Sequence, residues 1–218
     1  MPLALASDVH AAAIDGDLVL LDVAADAYFC LADGGEVLAL EASGAVRALQ
    51  DVAVAPLVEA GLLTTEDPAC SPFARRRPLR PVAGLDGKPA ALTPWAAAGA
   101  LRANARAAAA MRSLSFRDLV GLARQGRDRA SEIPEATPQV LAEAQRFARM
   151  APFLPHAGMC LMRSLQLLFY LRGRGLAAAW VFGVRTWPFE AHCWLQAGAV
   201  VLDDTVEHVQ AFTPILAV

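Results

Sequence analysis

The run from Leu161 to Leu171 constrains this chain most. It is largely apolar, a Pro155-to-Gly158 breaker precedes it, and Gly173 and Gly175 stop it. Such a segment predicts a helix packed inside a domain, and the residue that opens it is Cys160. A thiol in a first helical turn sits among unpaired backbone N–H groups at the positive end of the helix dipole, and both favour the thiolate. A buried cysteine on its own is more often just a small apolar side chain. Its partners therefore decide what Cys160 can do.

The segments that follow predict strands: Trp180 to Val184, then Ala191 to Gln196 and Val200 to Asp204 as a hairpin turning at Gly198. With a three-residue loop from Ala197 to Ala199, Gln196 faces Val200, Trp194 faces Leu202, and His192 faces Asp204. Opposed residues on one sheet face have Cβ atoms roughly 4.5–5.5 Å apart, close enough for a carboxylate to meet an imidazole. Asp203 points to the other face, and a slip of one residue would undo the pairing. On this register Cys160 is a nucleophile, His192 its base and later acid, and Asp204 the group that fixes the imidazole tautomer. Zinc held by Cys160, His192 and Cys193 is disfavoured, because strand alternation sends His192 and Cys193 to opposite faces.

The run Cys160-Leu161-Met162-Arg163-Ser164-Leu165, then Gly183-Val184-Arg185 and Pro188-Phe189-Glu190-Ala191-His192-Cys193-Trp194, resembles the transglutaminase-like cysteine proteases of lasso-peptide biosynthesis. Asp204, Glu207-His208-Val209 and Phe212-Thr213-Pro214-Ile215 are similar to that family too. The resemblance implies a papain/transglutaminase-like domain with catalytic Cys160, His192 and Asp204, no metal, and no cofactor of its own. It implies cleavage of a precursor peptide's leader from its core. The implied partners are that leader and an ATP-dependent macrolactam synthetase. Cys193 departs from the family pattern, where a small residue such as alanine is commoner, and it is expected to leave the triad untouched.

Charge divides the chain. Residues 1–70 hold twelve acidic side chains against one basic, Arg47, while residues 71–218 hold eighteen basic against ten acidic. That contrast predicts an α+β protein of two domains, 1–70 and 90–218, joined by a Pro/Arg/Gly-rich linker at 71–89 that contains Arg75-Arg76-Arg77. In the first domain His10 to Ile14, Leu18 to Val23 and Ala27 to Leu31 read as strands. Gly34 to Glu41, a segment capped by Ser43, and Val52 to Ala60 read as helices, together a winged-helix arrangement. Its acidity opposes DNA binding. Leu20-Leu21-Asp22-Val23 with Tyr28-Phe29-Cys30-Leu31 resembles the precursor-peptide recognition domain associated with these proteases. The resemblance implies that a leader adds as a strand along Tyr28, Phe29, Cys30 and Leu31, against Val54, Leu57 and Val58. Those apolar residues also serve as candidates for the small domain's own core.

Pro94 to Met111, a segment capped by Ser115 and running to about Arg129, and Pro138 to Met150 predict helices that pack around the Cys160 helix. Trp187, Pro188, Phe189 and Trp194 are candidates for a substrate cleft, whereas His156 and His208 are expected only in local contacts. No apolar run reaches the ~18 residues a membrane span needs, and the N-terminus lacks the basic start of a signal peptide. Cys30, Cys70, Cys160 and Cys193 show no paired spacing for disulfides or zinc, so a cytoplasmic protein is expected. The scattered arginines form no aromatic-interleaved patch, which argues against nucleic acid. Besides leader cleavage, two functions fit these residues: a Cys-His-Asp acyltransferase or transglutaminase, and a noncatalytic peptide-binding module.

Overall fold

A computed structural model describes residues 3–41, 45–50, 54–65, 80–85, 90–125, 134–155 and 159–218. It divides into two compact units. One comprises Met1–Arg77 with Val184–Glu190 and Thr213–Leu216; the other comprises Pro78–Gly183, Ala191–Phe212 and Ala217–Val218.

The first unit contains strands β1 (Leu3–Leu5), β2 (Val9–Ile14), β3 (Asp17–Asp22) and β4 (Ala27–Leu31). A short 3-10 turn at Gly34–Glu36 precedes β5 (Leu38–Leu40), β6 (Ala45–Ala48), helix α1 (Val54–Glu59) and β7 (Leu63–Thr64). β2, β3 and β4 form an antiparallel meander with β3 central. Asp15 and Gly16 connect β2 to β3 with φ of 49° and 95°, the positive values a two-residue hairpin turn of type I′ requires. Alternate β3 residues Leu18 and Leu20 reach a core with Leu5, Val9, Leu38, Leu57 and Leu63.

The helical half of the expected winged helix is largely replaced by strands. Gly34–Glu36 is a single 3-10 turn, and Leu38–Leu40 and Ala45–Ala48 pair antiparallel in a sheet of order β5-β6-β1-β7. Ser43 and Val52 lie outside the described residues. Short apolar segments carry no readable period, and strand partners decide their conformation. Leu57, expected on a peptide groove, is buried in the core, with Val54 and Val58 packed against it. β4 is an edge strand of the meander, with Phe29 and Cys30 exposed. Trp187 and Phe189, expected at a substrate cleft, also belong to this unit. Trp187 Nε1 donates to Asp17 Oδ2 at 2.7 Å, and the Phe189 ring lies 5.6 Å from that of Tyr28.

The remaining elements are α2 (Pro94–Ser113), α3 (Phe116–Arg124), α4 (Pro138–Met150), α5 (Cys160–Arg172), β8 (Ala179–Arg185), β9 (Glu190–Ala197), β10 (Val200–Val201), α6 (Val206–Gln210) and β11 (Thr213–Ala217). The expected end of α3 near Arg129 lies outside the described residues. Thr93, Ser115 and Thr137 cap α2, α3 and α4 by accepting the N–H groups of Ala96, Asp118 and Val140. Pro94 and Pro138 stand where a helix start tolerates a missing N–H. α2 turns a stripe of buried alanines, Ala96, Ala100, Ala103, Ala107 and Ala110, toward neighbours that include α5. Small side chains allow close approach, so α5 is buried over most of its circumference, from Met162 to Leu171. The strands form a sheet of order β10-β9-β8-β11. No helix among the described residues is long and apolar enough to cross a membrane.

Candidate functional site

Cys160 is the first residue of α5, and no side chain caps the helix there. Its thiol is partly exposed and lies beside β9, whose Cys193 and His192 side chains and Cys193 backbone N–H all favour its ionised form. Ser164, one turn along, secures the helix start from beneath. Its Oγ donates to the Cys160 carbonyl at 2.8 Å, accepts the buried Trp180 Nε1–H at 2.8 Å, and lies 3.4 Å from Cys193 Sγ. β8 and β9 thus hold the first turn of α5 through polar side chains.

His192 Nε2 and Asp204 Oδ2 are 2.7 Å apart, which leaves Nδ1 as the ring nitrogen for Cys160. The expected hairpin register does not produce this contact. Val200 pairs with Ala197 and Val201 with Gln196, so the loop has two residues and the register differs by one. The strand then ends at Val201. Leu202 N–H still reaches the Leu195 carbonyl, but Leu195 N–H donates to the Asp203 carboxylate at 2.8 Å rather than to a main-chain oxygen. This bend carries Asp204 back to His192.

The Asp204 carboxylate accepts from every side. Arg163 Nη2 lies 3.0 Å from Oδ2, His208 Nδ1 lies 3.1 Å from both oxygens, and Thr205 N–H donates to Oδ1 at 2.8 Å. Burial opposes ionisation, but the Thr205 N–H, His192, His208 and Arg163 outweigh it and hold the acid below the usual carboxylate range. Asp203 behaves oppositely. Burial pushes its carboxyl up to about 7, and the Leu195 N–H offsets only part of that. Two adjacent aspartates therefore differ in charge near neutral pH.

Cys160 is held at about 4, first by the hydrogen bond from the Cys193 thiol, then by His192, against the cost of burial. Cys193 is correspondingly driven well above the ordinary thiol range by that hydrogen bond and by its burial. Burial works against a charged His192, yet its bonds to Cys160 and Asp204 raise its affinity for a proton. Both shifts favour a thiolate beside a protonated imidazole, the pairing a cysteine nucleophile needs.

The structure thus brings together Cys160, His192 and Asp204. It corrects one expectation about Cys193: this residue acts on the nucleophile, since its thiol favours the Cys160 thiolate. The Cys193 backbone N–H adds to that effect, against the cost of burying the Cys160 thiol. Tyr28, Phe29, Cys30, Leu31, Val54, Leu57 and Val58 lie in the first unit. His156 lies outside the described residues.

Sequence reasoning missed Arg163, Ser164 and His208. Helical spacing offered a signal for each: Arg163 and Ser164 follow Cys160 by three and four positions, and His208 follows Asp204 by four. His192, Asp204 and His208 also present ligand atoms within 4.8 Å of one another, a geometry that could hold a metal ion. Their mutual hydrogen bonds already account for that closeness, and the Arg163 guanidinium on the same carboxylate opposes a cation.

Second contacts hold the imidazole plane. Its ring lies 5.2 Å from Phe212 and 4.6 Å from His208. Gly183 on β8 makes room for this wall, since a Cβ there would come within 2.8 Å of Trp194 and 2.9 Å of Phe212.

Nothing among curated proteins or solved structures matches the chain. The family model described as the transglutaminase-like superfamily matches residues 75–217, about two thirds of the sequence, and spans the Cys160, His192 and Asp204 site. That superfamily typically contains cysteine proteases and acyltransferases, the chemistry a thiolate–imidazolium pair performs. The chain therefore belongs to the transglutaminase-like superfamily.

Proposed function

We propose that this protein is a cysteine peptidase that removes the leader from a lasso-peptide precursor. The observation that carries the chemistry is the order Cys160, His192, Asp204: His192 Nε2 meets Asp204 Oδ2 at 2.7 Å, and the imidazole favours the Cys160 thiolate. The sulfur attacks the carbonyl carbon at the leader–core junction. First-turn N–H groups of α5 are positioned to donate to the developing oxyanion. His192 gives its proton to the leaving core amine, then takes one from the water that releases the leader carboxylate. Asp204 keeps Nε2–H aimed at itself throughout, and Arg163 and His208 hold that carboxylate in place. The lasso-peptide assignment itself rests on the sequence resemblance around these residues.

Leader recognition falls to residues 1–70. The edge position of β4 supports strand addition along Tyr28 to Leu31, with Phe29 and Cys30 exposed to an arriving chain. Leu57 belongs to the supporting core, so the wall beside the peptide is confined to Val54 and Val58. The released core amine is the substrate for an ATP-dependent macrolactam synthetase partner. The decisive test incubates the purified protein with a precursor peptide and measures product masses. Free leader and free core mean hydrolysis; a leader joined to an added amine means acyl transfer; an unchanged precursor removes the peptidase assignment.

A further inference from the structure

The thiol of Cys193 takes no covalent part in the proposed peptide cleavage, yet it stands beside the nucleophile and favours its thiolate. Cys193 is buried, with 2 % exposure, whereas Cys160 at the helix start is partly open. Ser164 Oγ bridges them: it donates to the Cys160 carbonyl at 2.8 Å and sits 3.4 Å from the Cys193 sulfur, and the two thiols stand close enough to shift each other's protonation. These contacts fix the two side chains at the crossing of α5 and β9. Disulfide formation requires only that the Cβ atoms lie about 3.5–4.5 Å apart and that the sulfurs turn toward each other.

We propose that Cys160 and Cys193 form a hydroperoxide-reactive dithiol site, in which oxidation closes an intramolecular disulfide that caps the nucleophile. Exposure assigns the order. A small peroxide reaches the partly exposed Cys160, while Cys193 is shut off from solvent. The Cys160 thiolate attacks one peroxide oxygen, the O–O bond breaks, and the departing hydroxide takes the proton of the His192 imidazolium to leave as water. Cys160 is then a sulfenic acid. The Cys193 sulfur attacks the Cys160 sulfur, the S–O bond breaks, and the hydroxyl leaves as water with the Cys193 proton. In total, two electrons pass from the thiol pair to one hydrogen peroxide, which becomes two waters. Thiolate character lets Cys160 attack; the neutral, buried Cys193 then serves as the resolving partner. A dithiol reductant reverses the bond by thiol–disulfide exchange.

The site is independent of what substrate the protein cleaves, and its test reads mass rather than activity. Trypsin releases Cys160 on the peptide 150–163 and Cys193 on the C-terminal peptide 186–218. The full-length protein is treated with substoichiometric hydrogen peroxide, alkylated and digested without reductant. The expected product is the two peptides joined, two hydrogens lighter than their sum, rising in step with loss of iodoacetamide labelling at Cys160. Dithiothreitol should restore that labelling fully. In Cys193→Ser the link cannot form, and dimedone should trap sulfenic acid on Cys160. Wild-type protein in which dimedone traps Cys160 without any 150–163/186–218 link overturns the proposal, and so does a link that joins Cys160 to Cys30 instead.

Discussion

The start of α5 and the β2–β4 meander illustrate two ways of holding a structure. Around Cys160 the contacts are polar and individually assigned. One carboxylate serves His192, Arg163, His208 and Thr205, and one hydroxyl serves Trp180, the Cys160 carbonyl and Cys193. Around Leu20 the contacts are apolar and shared among Leu18, Val9, Leu5 and Leu63. Burying apolar area stabilises by roughly 25 cal/mol per Å² regardless of direction, whereas a hydrogen bond specifies an angle and adds only about 1 kcal/mol net. Substitutions at the first place should therefore change chemistry more than stability, and at the second the reverse.

The largest effect tests the first half of that contrast. Cys160→Ala should abolish precursor cleavage outright while leaving the thermal midpoint within a few degrees of wild type, since a partly exposed thiol contributes little packing. Residual cleavage by mass spectrometry would remove Cys160 from the mechanism. Asp204→Asn should follow, with a rate loss on the order of 10³–10⁴-fold, because an amide NH₂ cannot accept from Arg163 and His192 and the wrong imidazole tautomer results. Asp203→Asn should cost far less. Its Oδ1 can still accept the Leu195 N–H, and the acid it replaces titrates near 7, so it is already partly neutral. Equal losses in folded Asp203 and Asp204 variants would break the division of labour between them.

The other half is tested in the meander. Leu20 is fully buried on β3, so Leu20→Ala should destabilise by about 2–5 kcal/mol through lost burial and the cavity left behind. The pH dependence of Cys160 alkylation in the remaining folded protein should not move. Urea denaturation gives the first quantity, and iodoacetamide kinetics the second. A destabilised variant with an altered alkylation profile would show that the two regions are coupled through packing.

Legibility in the sequence follows the same line. α4 spans Pro138–Met150 as its own sequence predicts, because Thr137 and Pro138 mark the start and the apolar face repeats at helical spacing. The break between the strands expected at His10 to Ile14 and Leu18 to Val23 was readable for a similar reason: it holds Asp15 and Gly16, which accept positive φ. β5 and β6 were not, because a Leu-Ala-Leu or Ala-Val-Arg-Ala segment suits either conformation until a partner strand settles it. At the site, residue types and order were legible, but the bend at Asp203 was not. There a side chain replaces a main-chain carbonyl as acceptor for Leu195, and no periodicity announces such a substitution. The influence of Cys193 on Cys160 was missed because alternation describes a strand's two faces and says nothing of which helix end stands beside them.

Cys193→Ala should give the smallest effect at neutral pH and a clear one in acid. The Cys193 thiol is the first cause of the low Cys160 value of about 4, and His192 the second. Hydrogen bonds to the charged form lower a thiol's pKa, so removing the donor must raise it toward the ~8.5 of free cysteine. His192 and the backbone N–H of residue 193 remain, so the rise is partial. The direction fixes where to look. Above the raised value the thiolate is fully formed in both proteins and alkylation rates should coincide; between about 4 and the raised value only the wild type remains reactive. Iodoacetamide rates measured from pH 3 to 8 on folded Cys193→Ala should thus show the acid limb displaced upward, with the plateau unchanged. Cys193→Ser should displace it less, because a hydroxyl can still donate to the thiolate. An unmoved acid limb in both variants would mean that His192 alone sets the thiolate, and that the polar contacts beneath α5 position the nucleophile without tuning it.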